Sequence, residues 1–198
     1  MIYISILIVL CAMFRFSRCA ALLVISVFML TACNTTPYDR ATVFYDRSEF
    51  PRQLAKDLGI SELHVSQHGR CSAILTTPGS NRGVYYFCTF ALTPEALYVM
   101  GWNATTLSYQ EIATIKLAEL KEVAYEKILR TSQVQLVEAQ RVVALSVMID
   151  EGGYHATNES LLLFESLKQM GAREGISEGM INPPPAPAPI FIPVVVPR

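Results

Sequence analysis

Residues 70–92 read RCSAILTTPGSNRGVYYFCTFAL. Two runs rich in β-branched and aromatic side chains, 70–76 and 83–92, flank Thr77-Pro78-Gly79-Ser80-Asn81, a cluster whose proline and glycine mark a turn. The pattern predicts an antiparallel hairpin. A turn centred between Gly79 and Ser80 leaves Cys71 and Cys88 equally far from that centre, so they face each other across the strands. Opposed positions lie about 4.5–5.5 Å apart at Cα, within reach of a disulfide. The two residues are either a cross-strand bridge or a pair of buried thiols, and an oxidising compartment favours the bridge.

Downstream of the hairpin, Thr93-Pro94-Glu95 predicts a tight turn and 96–102 a third strand. Residues 103–106 turn again, and 107–112 lead into a fourth run, 112–120. Residues 117–130, LAELKEVAYEKILR, favour helix by propensity and stay open between helix and strand. Residues 133–137 and 141–149 alternate as strands around a turn at 138–140. Thr157 or Asn158 is expected to cap a helix from Glu159 to Met170. Leu163, Phe164, Leu167 and Met170 would form its apolar stripe, widened by Leu161 and Leu162, and Gly171 would stop it. Upstream, Phe50, Leu54 and Leu58 share the face of a short helix over 49–58, ended by Gly59.

Residues 13–34, MFRFSRCAALLVISVFMLTACN, carry a different signal. Arg15 and Arg18 precede a short apolar run, 19–30, too short to span a bilayer, and small residues follow it. Leu30-Thr31-Ala32-Cys33 resembles the lipobox of a bacterial lipoprotein precursor. The resemblance implies cleavage before Cys33, a diacylglycerol on its sulfur and an acyl chain (typically palmitate) on its new amino group. Two or more chains make such attachment durable, at about 0.8 kcal/mol per buried methylene. Asn34, which is not Asp, implies the outer membrane rather than the inner, with the protein on its periplasmic face. Met13 is the expected start, since 1–12 are apolar and put the arginines mid-signal. The expected organisation is a signal peptide at 1–32, a lipidated tether at 33–47, one globular α+β domain at 48–175 and a flexible Pro-rich tail at 176–198. Tyr38, Phe44 and Tyr45 of the tether are candidates to dock on the domain. The leader accounts for Cys11 and Cys19 and lipid for Cys33, which leaves Cys71 and Cys88 as an even pair in an oxidising space.

The order of strands with a closing helix carries a second resemblance. Gly83-Val84, then Ala91-Leu92-Thr93-Pro94-Glu95-Ala96-Leu97-Tyr98, then Tyr109-Gln110-Glu111-Ile112, are similar to the GRAM and pleckstrin-homology-like (PH-like) superfold. Over about 70–171 this implies a curved antiparallel half-barrel closed by a C-terminal amphipathic helix, a fold that commonly binds lipids, peptides or proteins.

The chain holds 16 basic and 17 acidic residues, and losing Arg15 and Arg18 with the leader makes the remainder mildly acidic. No basic block occurs, which argues against nucleic acid as a partner. Glu62, His64, His68 and Cys71 cluster in sequence as candidate metal ligands, but Gly69 and the strand pattern work against convergence. His155 beside Asp150 and Glu151 is a candidate acid–base group. Trp102, Tyr98 and Tyr109 either line a groove or pack across strands. Neither a phosphate loop nor a Cys-x-x-Cys pair is present. Seven of the 11 prolines fall in NPPPAPAPIFIPVVVPR, residues 182–198, which favours extended polyproline II. The expectation is therefore a membrane-anchored, non-enzymatic binding or scaffolding module with no cofactor beyond the lipid on Cys33. The alternatives are a metal-dependent or acid–base enzyme using His64, His68 or His155, and an accessory that links the membrane to another envelope component through the tail.

Overall fold

The structure is a computed structural model that describes residues 44–60, 64–150 and 153–185. The leader, Cys33, Asn34 and Tyr38 lie outside the described residues, as do Glu62 and Glu151. The fold is α+β, with one seven-stranded antiparallel sheet and two helices. No described helix is long and apolar enough to cross a membrane.

The hairpin forms as expected. Strands β1 (Gln67–Thr76) and β2 (Val84–Leu92) pair with Cys71 opposite Cys88. A two-residue turn leads to β3 (Ala96–Asn103). Thr93 builds that turn, its N–H donating to the Ala96 carbonyl at 2.9 Å and its hydroxyl accepting from the Ala96 N–H at 3.1 Å. Strand β4 (Ser108–Lys116) begins and ends earlier than the expected fourth run, because Leu117–Glu119 leaves the ladder as a single 3-10 turn. A register shift at Val99/Met100 bulges β4 at Ile112.

The helical propensity of 117–130 does not prevail. Residues Glu122–Ile128 form β5, which turns at Leu129 and Arg130 into β6 (Thr131–Val137), and β6 into β7 (Val142–Met148). Propensity is worth tenths of a kcal/mol per residue. Burying Val123 and Ala124 and satisfying a seven-residue ladder outweighs it.

Sheet order is β4-β3-β2-β1-β7-β6-β5, so the consecutive strands β4 and β5 stand at opposite edges. Six inter-strand gaps of about 4.8 Å would set them roughly 29 Å apart in a flat sheet. The connector 117–121 reaches at most about 21 Å, and its 3-10 turn shortens it. The sheet must therefore curl. Arg141 confirms the approach by donating to the Thr114 carbonyl of β4 at 2.6 Å while paired with Glu138. No ladder joins β4 to β5 among the described residues, so the sheet is curled but not closed.

The concave face holds the main core: Cys71, Cys88, Phe90, Leu97, Ile115, Val123, Leu136 and Leu145 pack with Leu163, Phe164 and Leu167 of helix α2 (Thr157–Gln169). Met170, expected in that stripe, and Leu161 and Leu162, expected to widen it, are exposed; the sheet meets only one side of the helix. Nor do Thr157 or Asn158 cap it. Ala156 is the N-cap and makes no side-chain bond. Its N–H donates to the Val147 carbonyl, while buried Ser160 accepts from the Val147 N–H at 3.1 Å, so the helix start is stitched to the end of β7. Helix α1 (Phe50–Asp57) covers the opposite face, seating Phe50 and Leu54 against Ala91, Met100 and Tyr109. Gly59 and Gly171 end the two helices with φ of 68° and 99°, conformations that favour glycine.

Both ends of the domain extend beyond the expected 48–175. Phe44 and Tyr45 pack on the body. At the other end, Glu174 bridges Val123 in parallel, and Ile181 is buried against Ile74, Val142 and Ala144 on the outer face. The first part of the proposed flexible tail is thus folded. Gln133 and Gln135 project from β6 to hold it: the Gln133 amide accepts from the Ile181 N–H and donates to its carbonyl, both at 3.0 Å, and Gln135 donates to the Gly179 carbonyl at 2.7 Å.

Candidate functional site

Three of the side chains singled out in the sequence meet on the outer face of β1, β3 and β4, around the incoming chain. Trp102 and Tyr109 are cross-strand partners, edge to face at 5.0 Å. Phe44 lies 4.9 Å from the Trp102 ring, and the Tyr109 hydroxyl donates to the Phe44 carbonyl at 2.9 Å. The Tyr45 hydroxyl sits 3.0 Å from His68 Nδ1, and Phe50 stacks on the same imidazole at 5.5 Å. The aromatic groove is therefore real, but the protein's own residues 44–50 fill it.

Electrostatics agree with a structural role for His68. Burial, with help from the nearby Arg47 guanidinium, holds its pKa below the ordinary value. A neutral ring protonated at Nε2 accepts from Tyr45 at Nδ1, and the Tyr45 hydroxyl keeps its proton because burial pushes its pKa up to about 12. Burial also raises Tyr109. Arg47 closes the cluster with a two-pronged contact on the Asp150 carboxylate at 2.7 and 3.1 Å.

The metal and acid–base candidates do not assemble. No group of three or more His, Cys, Asp or Glu side chains among the described residues is placed to hold a metal ion. His64 is exposed, His68 is engaged by Tyr45, and Cys71 faces Cys88. His155 bridges Met148; its Nδ1 is shielded without a hydrogen-bond partner among the described residues, and burial lowers its pKa. Asp150, its expected helper, is held by Arg47. Cys71 and Cys88 are buried, 5.0 Å apart at Cα, with sulfurs at disulfide distance.

One feature escaped the sequence. Strand β2 pairs with β1 along its whole length but with β3 only through Thr89–Leu92. Residues 84–88 are left with an open edge among the described residues. The Thr93–Ala96 bond sets which backbone groups face β3, and stepping back by twos along β2 turns the N–H and C=O of Tyr85 and Phe87 toward that open side. Their side chains are exposed and pack edge to face at 5.0 Å beside exposed Val84. An unpaired edge flanked by bare aromatics is a strand-accepting surface. Sequence alternation could not reveal it, since it depends on how far the β2–β3 ladder runs.

No known protein family matches the chain, and no curated protein does. Among solved structures the chain is similar to the hSac2 domain from human phosphoinositide phosphatase Sac2, at 15% identity over 76% of this chain and 97% of that one, with a TM-score of 0.38. A likeness this slight carries no functional argument.

Proposed function

We propose that this protein is an outer-membrane lipoprotein, anchored through acylated Cys33, that holds a PH-like binding or scaffolding domain at the periplasmic face of the bilayer. The observation that carries the reading is the docking of Phe44 and Tyr45 on Trp102, Tyr109 and His68. Phe44 is already seated on the body, and only ten residues separate it from Cys33. However they run, they reach at most about 40 Å. A domain clamped so close to its attachment point works at the membrane surface.

The order β4-β3-β2-β1-β7-β6-β5, curled and covered by a C-terminal helix, supports the PH-like half-barrel. The open edge of β2 at 84–88 is its recognition surface, suited to an extended polypeptide rather than a small molecule: it offers backbone groups in a row and two aromatic faces. The Cys71–Cys88 bridge fits that compartment and braces the hairpin that presents the edge.

The test is Cys33→Ser in the native envelope, with a photo-crosslinking residue at position 87. Loss of processing and of membrane retention is expected of the variant, and the wild-type anchor should give an adduct at 87 but not at exposed Leu162. Normal cleavage and membrane association of Cys33→Ser would overturn the anchor.

A further inference from the structure

The incoming chain meets the body at one end of the sheet. Trp102 pairs with Tyr109 and Asn103 with Ser108, and residues 104–107 turn between them. Phe44 packs on Trp102 and takes the Tyr109 hydroxyl on its carbonyl, so the chain arriving from Cys33 lands beside that turn. Phe44 stays 43% exposed and Leu107, in the turn, 65% exposed, while Trp102 is half-buried.

Leu107 has no explanation within the fold. Its φ of 50° lies in the left-handed region, which is costly for leucine and easy for glycine or asparagine. Exposed as it is, it gains little burial in return. Its surroundings are suited to leaving water. Asn103 Oδ1 accepts from the Thr105 N–H at 2.9 Å and the Thr106 N–H at 3.2 Å, and the Thr106 and Ser108 hydroxyls lie 2.8 Å apart. Two of the turn's amides are thus satisfied within the turn, as a loop entering a lipid surface requires. From Trp102 to Gln110 no side chain is charged. An amphipathic indole beside exposed apolar side chains is the composition favoured at the boundary of water and lipid.

The tether says what covers this face. Ten residues separate Phe44 from Cys33, so the end of the domain that carries Phe44 meets the bilayer at high effective concentration. We infer that Phe44, Trp102 and Leu107 form a lipid-facing end that seats in the headgroup zone of the bilayer holding acylated Cys33. The inference rests on the lipid anchor and adds the orientation of the domain. The contact is apolar, so it takes the phospholipid interface rather than a particular headgroup, and salt leaves it intact. Successive hairpins alternate ends, which puts the β1–β2, β3–β4 and β6–β7 turns toward the membrane. The β5–β6 turn lies at the opposite strand ends, with Leu129 at φ 55° and 90% exposed.

Trp102 is the chain's only tryptophan, so its fluorescence reads the seat directly. The full lipidated protein, its acyl groups verified by mass, is inserted from outside into preformed phosphatidylcholine vesicles brominated high on the acyl chains. Trp102 should be quenched by the bromolipid and shielded from aqueous iodide. Leu107→Asn suits the left-handed backbone and should leave the fold intact. It should weaken the seat by about tenfold, lowering the first quenching and raising the second. Leu129→Trp/Trp102→Phe moves the reporter to the opposite end, where iodide should reach it and bromolipid should not. Bromolipid quenching that is absent at Trp102, equal at 129, unchanged by Leu107→Asn or lost in high salt overturns the inference. A lower urea midpoint for Leu107→Asn also overturns it, since Leu107 would then serve the fold's own packing. Shielding from iodide that grows with protein density, without bromolipid quenching, overturns it in favour of a second copy on this face. An unacylated Cys33 removes the anchor and this inference together; an acylated Cys33 with Trp102 unquenched removes this inference alone.

Discussion

Gln133→Leu tests how the C-terminal strap is held. Gln133 is 3% exposed, and its one amide satisfies both backbone groups of Ile181, itself 8% exposed. Leucine keeps the apolar volume of the side chain and removes both bonds. If the strap stays down, Ile181 keeps a buried N–H and C=O unpaired, at about 1–3 kcal/mol each. If it lifts, the losses are about 2 kcal/mol for the Ile181 side chain and about 1 kcal/mol for each of the three bonds made by Gly179 and Asn182. Freeing residues 176–182 returns about 1 kcal/mol per residue of backbone entropy against this. Lifting is the cheaper route. Removing two bonds of about 1 kcal/mol each shifts that opening by about 2 kcal/mol, roughly thirtyfold. Amide exchange at Ile181 should accelerate by about that factor and protease should cut within 176–182, while the unfolding free energy of the whole domain, read in urea, falls by no more than about 2 kcal/mol. Wild-type exchange at Ile181 and wild-type protease resistance would refute the argument that Gln133 is the clasp.

Ser160→Ala removes the side-chain acceptor of the buried Val147 N–H and should cost about 1–3 kcal/mol in urea unfolding; a loss under about half a kcal/mol would mean the helix start shifts to supply another acceptor. The His68 pKa is lowered in the fold, so the unfolded chain binds the extra proton first. Its contribution is unchanged above the ordinary value of 6.5 and declines as pH falls below it, down to the folded pKa. His68→Asn should flatten the fall in stability below about pH 6.5, and a slope identical to wild type would assign that fall to other groups. Cys71 and Cys88 close a loop of sequence separation 17, for which bridging stabilises by about 3 kcal/mol. Thiol counting on the denatured, unreduced chain should find neither thiol free, and Cys71→Ala/Cys88→Ala should lower stability by about that amount; two titratable thiols would eliminate the bridge.

The hairpin of β1 and β2 was legible because everything it needs is local. A proline–glycine turn sets the centre and two β-rich arms fix the register, so Cys71 falls opposite Cys88. Helices α1 and α2 were legible from apolar spacing and from Gly59 and Gly171. Strand β5 was not, since LAELKEVAYEKILR satisfies helix propensity and only its partner β6 decides otherwise. Ser160 gave no signal either. A serine three residues into a helix reads as neutral, and its meaning comes from a β7 amide thirteen positions earlier. The same holds for the seat of Phe44 and Tyr45, whose partners His68, Trp102 and Tyr109 converge only once β1, β3 and β4 stand side by side. Among the described residues the candidate metal ligands do not converge, and His68 meets the Tyr45 hydroxyl instead.

The opposite-edge placement of β4 and β5 divides the chain in a way that concerns how it is assembled. Residues 44–116 make one meander, β1 to β4, with α1 on its back; residues 122–182 make another, β5 to β7, with α2 and the strap. Within each meander every ladder joins strands adjacent in sequence, and the two meet along the single β1–β7 ladder, whose partners lie some seventy residues apart. Local hairpins close in microseconds, whereas a seam of that separation waits for both halves. Yet neither half keeps its apolar face covered alone, since Phe90 and Leu97 share one core with Leu136 and Leu163. The connector 117–121 is thus a natural place to cut. Two separately made pieces should rejoin along β1 and β7 into one domain, and substitutions in that seam should slow refolding more than equally destabilising ones in β4 or β5.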